Sequence, residues 1–262
     1  MPRRIIDISS TLKSGIKSDP PGSEPKIQYF DHHQTAPRMA DYMGVPISAL
    51  PEGEYAAVER IDISTHNGTH LDAPYHYFSR MNERLTPGGE PSWRIDEVPL
   101  DWCFQPGVKL DFRHLPDGHV VQPAEVEAEL KRIGHVLKPL EIVVVNTAAG
   151  VRYGEDDYID RGCGMGKAAT LWMLEQGVRV VGTDGWSWDA PFSHTKRKIE
   201  AGGDPSLIWE GHRAGREIGY SHLEKLSNLD ALPADGFTVA CFPVKIHRAS
   251  AGWTRAVAII ED

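Results

Sequence analysis

The sequence predicts a mixed α/β fold, and three neighbouring segments carry that prediction. Residues 141–147 contain the apolar run Ile142-Val143-Val144-Val145, which is typical of a strand buried on both faces. Residues 166–176 show the helical spacing of apolar side chains and stop at Gly177, a residue type common just beyond a helix C-terminus. Residues 178–183 form the next apolar strand. A strand, helix, strand order of this kind is typical of α/β architecture.

The remaining elements are predicted from the same periodicity and from Gly and Pro punctuation. Pro123 and the acidic residues after it mark the start of a helix over residues 122–133. Residues 13–58 are rich in Gly, Pro, Ser and charge, so they are predicted to form an irregular segment with a functional or subunit-covering role. A second loop is predicted at residues 80–100. Further strands are predicted at residues 4–9, 55–65, 108–112, 238–245 and 256–260, and further helices at residues 208–218 and 222–229.

Length, charge and cysteine content bound the class of protein. A chain of 262 residues that is 40% hydrophobic can bury one large core, so residues 1–262 are predicted to form a single domain. The net charge of −9 has no basic run, which argues against a nucleic-acid or anionic-membrane partner. The N-terminus lacks the apolar core of a signal peptide, and no membrane span is expected. Three scattered cysteines fit a reducing compartment, so a cytoplasmic location is predicted.

One eleven-residue stretch concentrates side chains that bind metals. It reads His66-Asn67-Gly68-Thr69-His70-Leu71-Asp72-Ala73-Pro74-Tyr75-His76, with three imidazoles and one carboxylate, all at even positions. Alternate residues of an extended segment share one face, and imidazole with carboxylate suits Zn²⁺ or Mn²⁺. His66 and His70 would lie roughly 13 Å apart if fully extended, so Gly68 is predicted to allow a turn or bulge between them. Pro74 ends regular pairing, which lets His76 fold back as an outer or catalytic group.

A metal site made from this stretch alone is incomplete, so further ligands are expected from the second half of the chain. His212 and Glu224 are the best candidates. On one continuous helix they would lie roughly 18 Å apart, but Gly219 can end that helix and bring them together. Spacing alone leaves two other interpretations open: His212 as a solvated helix residue, and Glu224 as the acidic member of a capping box that begins at Ser221.

The eleven-residue stretch resembles the H-x-G-T-H-x-D-x-P-x-H signature of the metal-dependent cyclase/hydrolase family, which includes bacterial kynurenine formamidases and isatin hydrolases. Every fixed position of that signature is present. Shorter family-like segments are Asp7-Ile8-Ser9, Gly182-Thr183-Asp184, Glu224-Lys225-Leu226-Ser227-Asn228-Leu229 and Arg255-Ala256. The resemblance therefore spans nearly the whole chain, and it implies a swivelling β/β/α-type fold with a barrel-like mixed sheet and surrounding helices.

The resemblance also implies an activity. The expected protein is a metal-dependent hydrolase that cleaves a C–N amide bond, of the aryl formamide, lactam or cyclic imide type, in a small aromatic or cyclic substrate. The residues expected to hold one or two Zn²⁺ or Mn²⁺ ions are His66, His70, Asp72, His212 and Glu224. His76 is expected to act as general base on water and then as acid to the leaving nitrogen. No organic cofactor is expected, and the assembly implied is a homodimer or homotetramer whose N-terminal loops help close neighbouring sites.

Two other classes of function remain open. One is a cyclase, lyase or lactone hydrolase that acts on a polyketide-like or cyclic ester substrate. The other is a non-catalytic, metal-stabilised binding protein, against which the presence of His76 argues. The chain also departs from kynurenine formamidases, because residues 17–22 lack the Trp that typically precedes Pro-Gly there and residues 23–58 and 186–211 are expanded. These departures concern the substrate and leave the metal chemistry unaffected.

Other chemistry-bearing residues carry weaker signals. Residues 185–189 resemble a nucleophile elbow but end in Asp189, where that motif has glycine. Cys163 is predicted to be a packed thiol rather than a nucleophile, and His222 is predicted to be structural. An aromatic group fits two interpretations, packing in the core or lining the pocket of an aromatic substrate. Its members are Trp186, Trp188, Phe192 and Trp209.

Overall fold

The computed structural model describes residues 3–261. The strands are β1 (Arg3–Asp7), β2 (Lys26–Phe30), β3 (Val58–Asp62), β4 (His70–Asp72), β5 (Arg80–Met81), β6 (Glu90–Pro91), β7 (Phe104–Asp111), β8 (Val120–Val121), β9 (Ile142–Asn146), β10 (Gly164–Met165), β11 (Val180–Thr183), β12 (Ser221–Glu224), β13 (Phe237–Ala240), β14 (Ala251–Trp253) and β15 (Val257–Glu261). The helices are α1 (His32–Met43), α2 (Pro74–Tyr77), α3 (Pro123–Ile133), α4 (Lys167–Glu175), α5 (Phe192–Glu200) and α6 (Glu210–Glu217). The longest helix, α1, has 12 residues, and no helix within residues 3–261 is long and apolar enough to cross a membrane.

Nine of these strands form one sheet, in the order β1-β15-β13-β7-β9-β11-β12-β4-β14. The four central strands, β7, β9, β11 and β12, run parallel to one another. The strands on either side of them pair antiparallel. The sheet curls into a half-barrel with helices around it. The predicted mixed α/β fold with a barrel-like sheet and surrounding helices is therefore confirmed.

Strand β9 shows why the central strands are apolar along their whole length. Val143 and Val145 pack on one face of the sheet with residues of α3 and α4. Ile142 and Val144 belong to a second apolar cluster on the opposite face. Because both faces are covered, every position of the strand is buried, as is usual for parallel strands in α/β proteins. The two helices that flank this strand in sequence, α3 and α4, lie where they are predicted.

Residues 13–58, predicted to be irregular, contain strand β2 and helix α1, so that prediction is wrong. β2 and β3 pair antiparallel as a separate two-stranded sheet, and α1 lies between them in sequence. Asp31 caps α1 by accepting the Gln34 backbone N–H, and the Gln34 side chain accepts the Asp31 N–H. This capping box is a helix signal. Pro37 inside the helix and its polar neighbours obscure the helical periodicity in the sequence.

The helix predicted at residues 222–229 is also wrong, because this segment begins as strand β12. β12 inserts between β11 and β4 in the main sheet, and all four of its residues are buried. Ser221 and Glu224 therefore form no helical capping box. Pairing with two neighbouring strands overrides the local helical signal here, since propensity is a weak determinant beside tertiary contacts. β14 and α5 have no counterpart among the predicted elements.

Candidate metal centre

Two adjacent strands place four polar side chains on one face of the sheet. β4 and β12 pair antiparallel in a fixed register. The facing pairs are His222 with Asp72 and Glu224 with His70. The intervening residues Leu71 and Leu223 point to the opposite face, where both are buried in the apolar core. Directly opposite residues have Cβ atoms about 5 Å apart, so the register by itself draws two imidazoles and two carboxylates together.

The four side chains converge so that imidazole nitrogens face carboxylate oxygens. His222 Nε2 lies 3.0 Å from Asp72 Oδ2 and 3.1 Å from Glu224 Oε1. His70 Nε2 lies 3.2 Å from Asp72 Oδ1 and 3.6 Å from Glu224 Oε2. The Trp188 backbone N–H donates to Glu224 Oε1 at 3.0 Å, which fixes that carboxylate from behind. All four side chains are buried, so solvent screens their interactions little.

Three more histidines reach this cluster from neighbouring segments. His66 lies in the turn before β4, where Gly68 takes a φ of +62°, and its Nδ1 lies 3.0 Å from Asp72 Oδ1. The turn predicted at Gly68 is thus confirmed. His76 lies on α2, with Nε2 3.8 Å from Asp72 Oδ2, and α6 contributes His212, with Nε2 4.0 Å from Glu224 Oε1. All six predicted site residues are brought together, and His222 joins them.

A hydrogen bond to the outer nitrogen, Nδ1, fixes the tautomer of the buried imidazoles of His70 and His212. His70 Nδ1 lies 2.8 Å from the Gly68 carbonyl oxygen, which can only accept, so Nδ1 carries the proton. His212 Nδ1 bonds the Asp189 carboxylate, which also accepts the Gly211 N–H at 2.7 Å. Both imidazoles therefore present an unprotonated Nε2 to the cluster. A carboxylate or carbonyl partner of this kind is the usual support of a metal-binding histidine.

The residues fit a divalent metal, because the atoms that face one another lack other partners. Among residues 3–261, His70 Nε2, both Asp72 carboxylate oxygens and His222 Nε2 are buried without a hydrogen bond. Buried polar atoms are rarely left unpaired. Ligands about 2.1 Å from a tetrahedral ion lie about 3.4 Å from each other, which is close to the spacing here. Two sets of ligand atoms each lie within 4.8 Å of one another: Asp72, His212, His222 and Glu224, and His66, Asp72 and His76.

The electrostatics of the cluster favour bound positive charge. Burial opposes the ionised form of Glu224, but the adjacent imidazoles of His222 and His70 together outweigh this and lower the pKa of Glu224 to about 2. Burial likewise opposes the charged form of His222, but the Asp72 and Glu224 carboxylates raise its pKa to about 9. His76 differs, because burial outweighs the attraction of Asp72 and lowers its pKa to about 4. Two carboxylates thus need a cation, while His76 remains neutral.

Two members of the cluster, His66 and His76, reach solvent. The His66 and His76 side chains are 27% and 23% exposed, whereas His70, Asp72 and His222 are fully buried. Trp209 stacks on His212 with ring centroids 4.6 Å apart, and it lies 5.2 Å from His76. Trp188 instead belongs to the buried core, where its ring stacks on His222. Of the predicted aromatic group, Trp188 therefore lies in the core and Trp209 lies beside the cluster.

A buried ion pair ties the N-terminal segment to the cluster. Lys225, next to Glu224, pairs with Asp19, and these side chains are only 2% and 6% exposed. Lys225 Nζ also donates to the His66 carbonyl oxygen at 2.7 Å, and Thr69 Oγ1 donates to the Lys225 carbonyl oxygen at 2.6 Å. Both ends of the turn that carries His66 are thus held by Lys225.

A family model described as "Putative cyclase" matches residues 6–190, which is more than half of the chain. The chain belongs to this cyclase family. The matched segment contains the eleven-residue signature and Asp189. Three other members of the cluster, His212, His222 and Glu224, lie beyond it.

Individual relatives agree with this assignment. A kynurenine formamidase from Erythrobacter litoralis (strain HTCC2594) is 24% identical over 255 residues, which are 97% of this chain and 93% of the relative. An isatin hydrolase bound to the product analogue thioisatinate superposes with a TM-score of 0.75 at 20% identity, over 99% of this chain and 93% of the other. Isatin hydrolase A from Ralstonia solanacearum gives 0.75 at 21% identity, over 99% and 92%. These likenesses show a shared fold.

His222 is the one cluster residue that the sequence analysis assigns elsewhere. The signal that identifies it is the alternation in Ser221-His222-Leu223-Glu224, because a strand places His222 and Glu224 on the same face. In a helix, His222 and Glu224 would point to different sides. The error in secondary structure and the error in the site therefore have one cause.

We predict that Lys225→Met strongly destabilises this cyclase-family protein, because it leaves the Asp19 carboxylate buried without a partner. Removing one member of a buried ion pair costs about 3–5 kcal/mol, to be measured as the free energy of unfolding in urea. The Asp19→Asn/Lys225→Met double variant should recover part of that loss. The control is Lys17→Met, whose exposed pair with Asp156 should contribute nothing measurable. A Lys225→Met protein as stable as the wild type would contradict this role.

Proposed function

We propose that the protein is a metal-dependent hydrolase that cleaves the C–N amide bond of a small aromatic or cyclic substrate, of the aryl formamide, lactam or cyclic imide type. The observation that carries the proposal is the convergence of unprotonated imidazole nitrogens on two buried carboxylates, beside the neutral and partly exposed His76. The kynurenine formamidase relative and the isatin hydrolase structures support the same reaction class.

We assign the metal ligands as the sequence predicts them. The proposed ligands of one or two Zn²⁺ or Mn²⁺ ions are His66, His70, Asp72, His212 and Glu224. Asp72 and Glu224 each offer two oxygens, so either can serve two ions. When bound, such an ion polarises a substrate carbonyl and lowers the pKa of a water molecule toward neutrality.

His76 is the residue that we assign to proton transfer. Its Nε2 is 3.8 Å from Asp72 Oδ2, farther than the nitrogens of the buried imidazoles of β4 and β12 lie from that carboxylate. Burial lowers the pKa of His76 to about 4, so its imidazole is neutral at neutral pH and free to accept a proton. It takes a proton from the attacking water and delivers it to the leaving nitrogen.

The open side of the cluster favours a flat, cyclic substrate. The Trp209 ring lies 5.2 Å from His76 and stacks on His212, which presents an aromatic wall beside the proton-transfer group. Aromatic rings pack with centroids about 4.5–7 Å apart, so a ring held against Trp209 would place an attached or fused amide near His76.

A substrate screen tests the proposed reaction. Protein loaded with Zn²⁺ or Mn²⁺ is incubated with aryl formamides, isatin-like lactams, cyclic imides and lactones, and the products are separated by chromatography. We expect metal-dependent hydrolysis within the amide classes.

The Asp72→Ala variant tests the ligand assignment, and it should lose most of the bound metal and the turnover with it. Turnover of lactones alone would indicate the alternative ester or cyclase activity, and an unchanged metal-to-protein ratio in Asp72→Ala would overturn the ligand assignment.

The role of His76 is separable from metal binding. We expect His76→Ala to keep most of its metal while its rate falls by roughly 100-fold or more, the usual scale for a general base. Metal content by mass spectrometry and turnover are measured on the same sample. His119→Ala is the control, because His119 bonds Glu125 away from the cluster. Parallel loss of metal and activity in His76→Ala would make His76 a ligand instead.

We infer that the protein assembles as a homodimer or homotetramer through its N-terminal segment. Large apolar side chains are exposed along this segment at Tyr29, Tyr42, Met43, Val45, Ile47, Tyr55, Val58 and Ile61. A two-stranded sheet is marginally stable alone, and exposed apolar patches of this kind mark interaction surfaces. Tyr42→Asp/Ile61→Asp should lower the mass found by sedimentation equilibrium, whereas Val136→Asp, exposed elsewhere, should not. An unchanged mass in the double variant would place the interface elsewhere.

We further infer a single domain over residues 1–262 and a cytoplasmic location. β1 and β15 come from opposite ends of the described chain and pair in the same sheet, which supports one domain. Cys103, Cys163 and Cys241 are free and buried, which fits a reducing compartment. Burial raises the pKa of the Cys163 thiol to about 12, in keeping with a packed thiol.

A further inference from the structure

His222 occupies the most enclosed position of the metal cluster. Its side chain is fully buried, and its Nε2 lies 3.0 Å from Asp72 Oδ2 and 3.1 Å from Glu224 Oε1. The imidazole stacks on Tyr77 with centroids 5.0 Å apart and on Trp188 at 6.0 Å. It meets His212 edge-on at 4.6 Å. Rings on several sides thus hold the imidazole in one orientation.

The tautomer of His222 follows from its neighbour Tyr220. The Tyr220 hydroxyl donates its single proton to the Gly211 carbonyl oxygen at 3.1 Å. Its oxygen, which lies 3.4 Å from His222 Nδ1, is therefore left to accept, so Nδ1 carries the proton of the neutral imidazole. On an imidazole without a second proton, Nε2 then presents a lone pair to Asp72 and Glu224. Because a lone pair and two carboxylates repel one another, this form is stabilised by a metal ion between them.

The direction of Nε2 favours a metal ion over a simple ion pair. His222 Nε2 approaches both oxygens closely, yet neither contact has the alignment of a hydrogen bond, and the atom has no partner within residues 3–261. The nitrogen lies almost equally far from the two oxygens. Donors around a shared ion are arranged in this way, because each points at the ion and not at its neighbours.

We propose that His222 is a metal ligand that completes, with Asp72, His212 and Glu224, an inner position closed by four protein groups. This inference rests on the proposed metal-dependent function and deepens it. His66, His70 and Asp72 are left for the open position, and His76 lies beside it on the exposed side, where water and substrate have access. A closed position of four protein ligands holds its ion firmly, whereas a catalytic position keeps a coordination site free. Two imidazoles with two carboxylates also favour Zn²⁺ over Mn²⁺ at the inner position.

Metal retention tests the proposal without relying on activity. Wild-type protein and His222→Phe, which keeps the stacked ring, are loaded with Zn²⁺ and dialysed against a chelator, and the retained metal is counted by mass spectrometry. The wild type should retain one ion per chain, and His222→Phe should bind that ion roughly 100-fold or more weakly, beyond the 10–100-fold usual for supporting groups. His247→Phe is the control, since His247 is 85% exposed. Equal retention in His222→Phe and wild type would overturn the proposal.

If His222→Phe does not fold, X-ray absorption at the zinc edge of the wild type still tests the proposal, because it counts the imidazole ligands on the retained ion. The retained ion should show two imidazoles in the wild type, and one imidazole where His222→Phe folds. A single imidazole on the retained ion of the wild type would make His222 a protonated counter-ion and overturn the proposal. A wild type that binds no metal would overturn the proposed function as well, whereas failure of the His222 assignment alone leaves metal binding and hydrolysis in place.

Discussion

The pairing register of β4 against β12 places the four most deeply buried polar side chains of the metal centre on one face of the sheet. Side chains alternate between the two faces of a sheet, so a slip of β4 by one residue would turn Leu71 toward the cluster and bury His70 and Asp72 in the apolar core. Neighbours on both sides hold the register, since β12 also pairs with β11 and β4 also pairs with β14. A nine-stranded sheet is thus the support that keeps the facing imidazoles and carboxylates in place.

That register carries a cost, because it buries two carboxylates beside an apolar core. An ionised carboxylate without a partner is strongly unfavourable in such a place. One donor nearby meets part of this demand, namely the Trp188 backbone N–H, which donates to Glu224. The remaining demand is met by a cation. Metal binding and folding should therefore be coupled, since the bound ion relieves a strain that the unfolded chain does not have.

The two halves of the site differ in how far the sequence predicts them. In the first half, the even spacing of ligand residues and Gly68 lie within eleven residues, so local geometry is enough. In the second half, the residues alone leave a capping role open for Glu224, and His222 is assigned elsewhere. The convergence of the two depends on a strand that pairs with β4, far away in sequence. Helix α1 is missed for a local reason, since Pro37 and polar residues mask its capping box. Non-local pairing and masked periodicity therefore account for the errors.

The division between a buried and an open side explains how one cluster can both hold ions and carry out chemistry. His70, His212 and His222 each have an outer partner that fixes the tautomer and leaves Nε2 for the centre. His76 lies on the exposed side with a lowered pKa and belongs to no such arrangement, so it remains free to exchange protons. The turn that carries His66 is anchored through Lys225 to Asp19, in the loop that precedes β2. Sequence differences in that loop can thus reshape the open side while the buried ligands keep their positions.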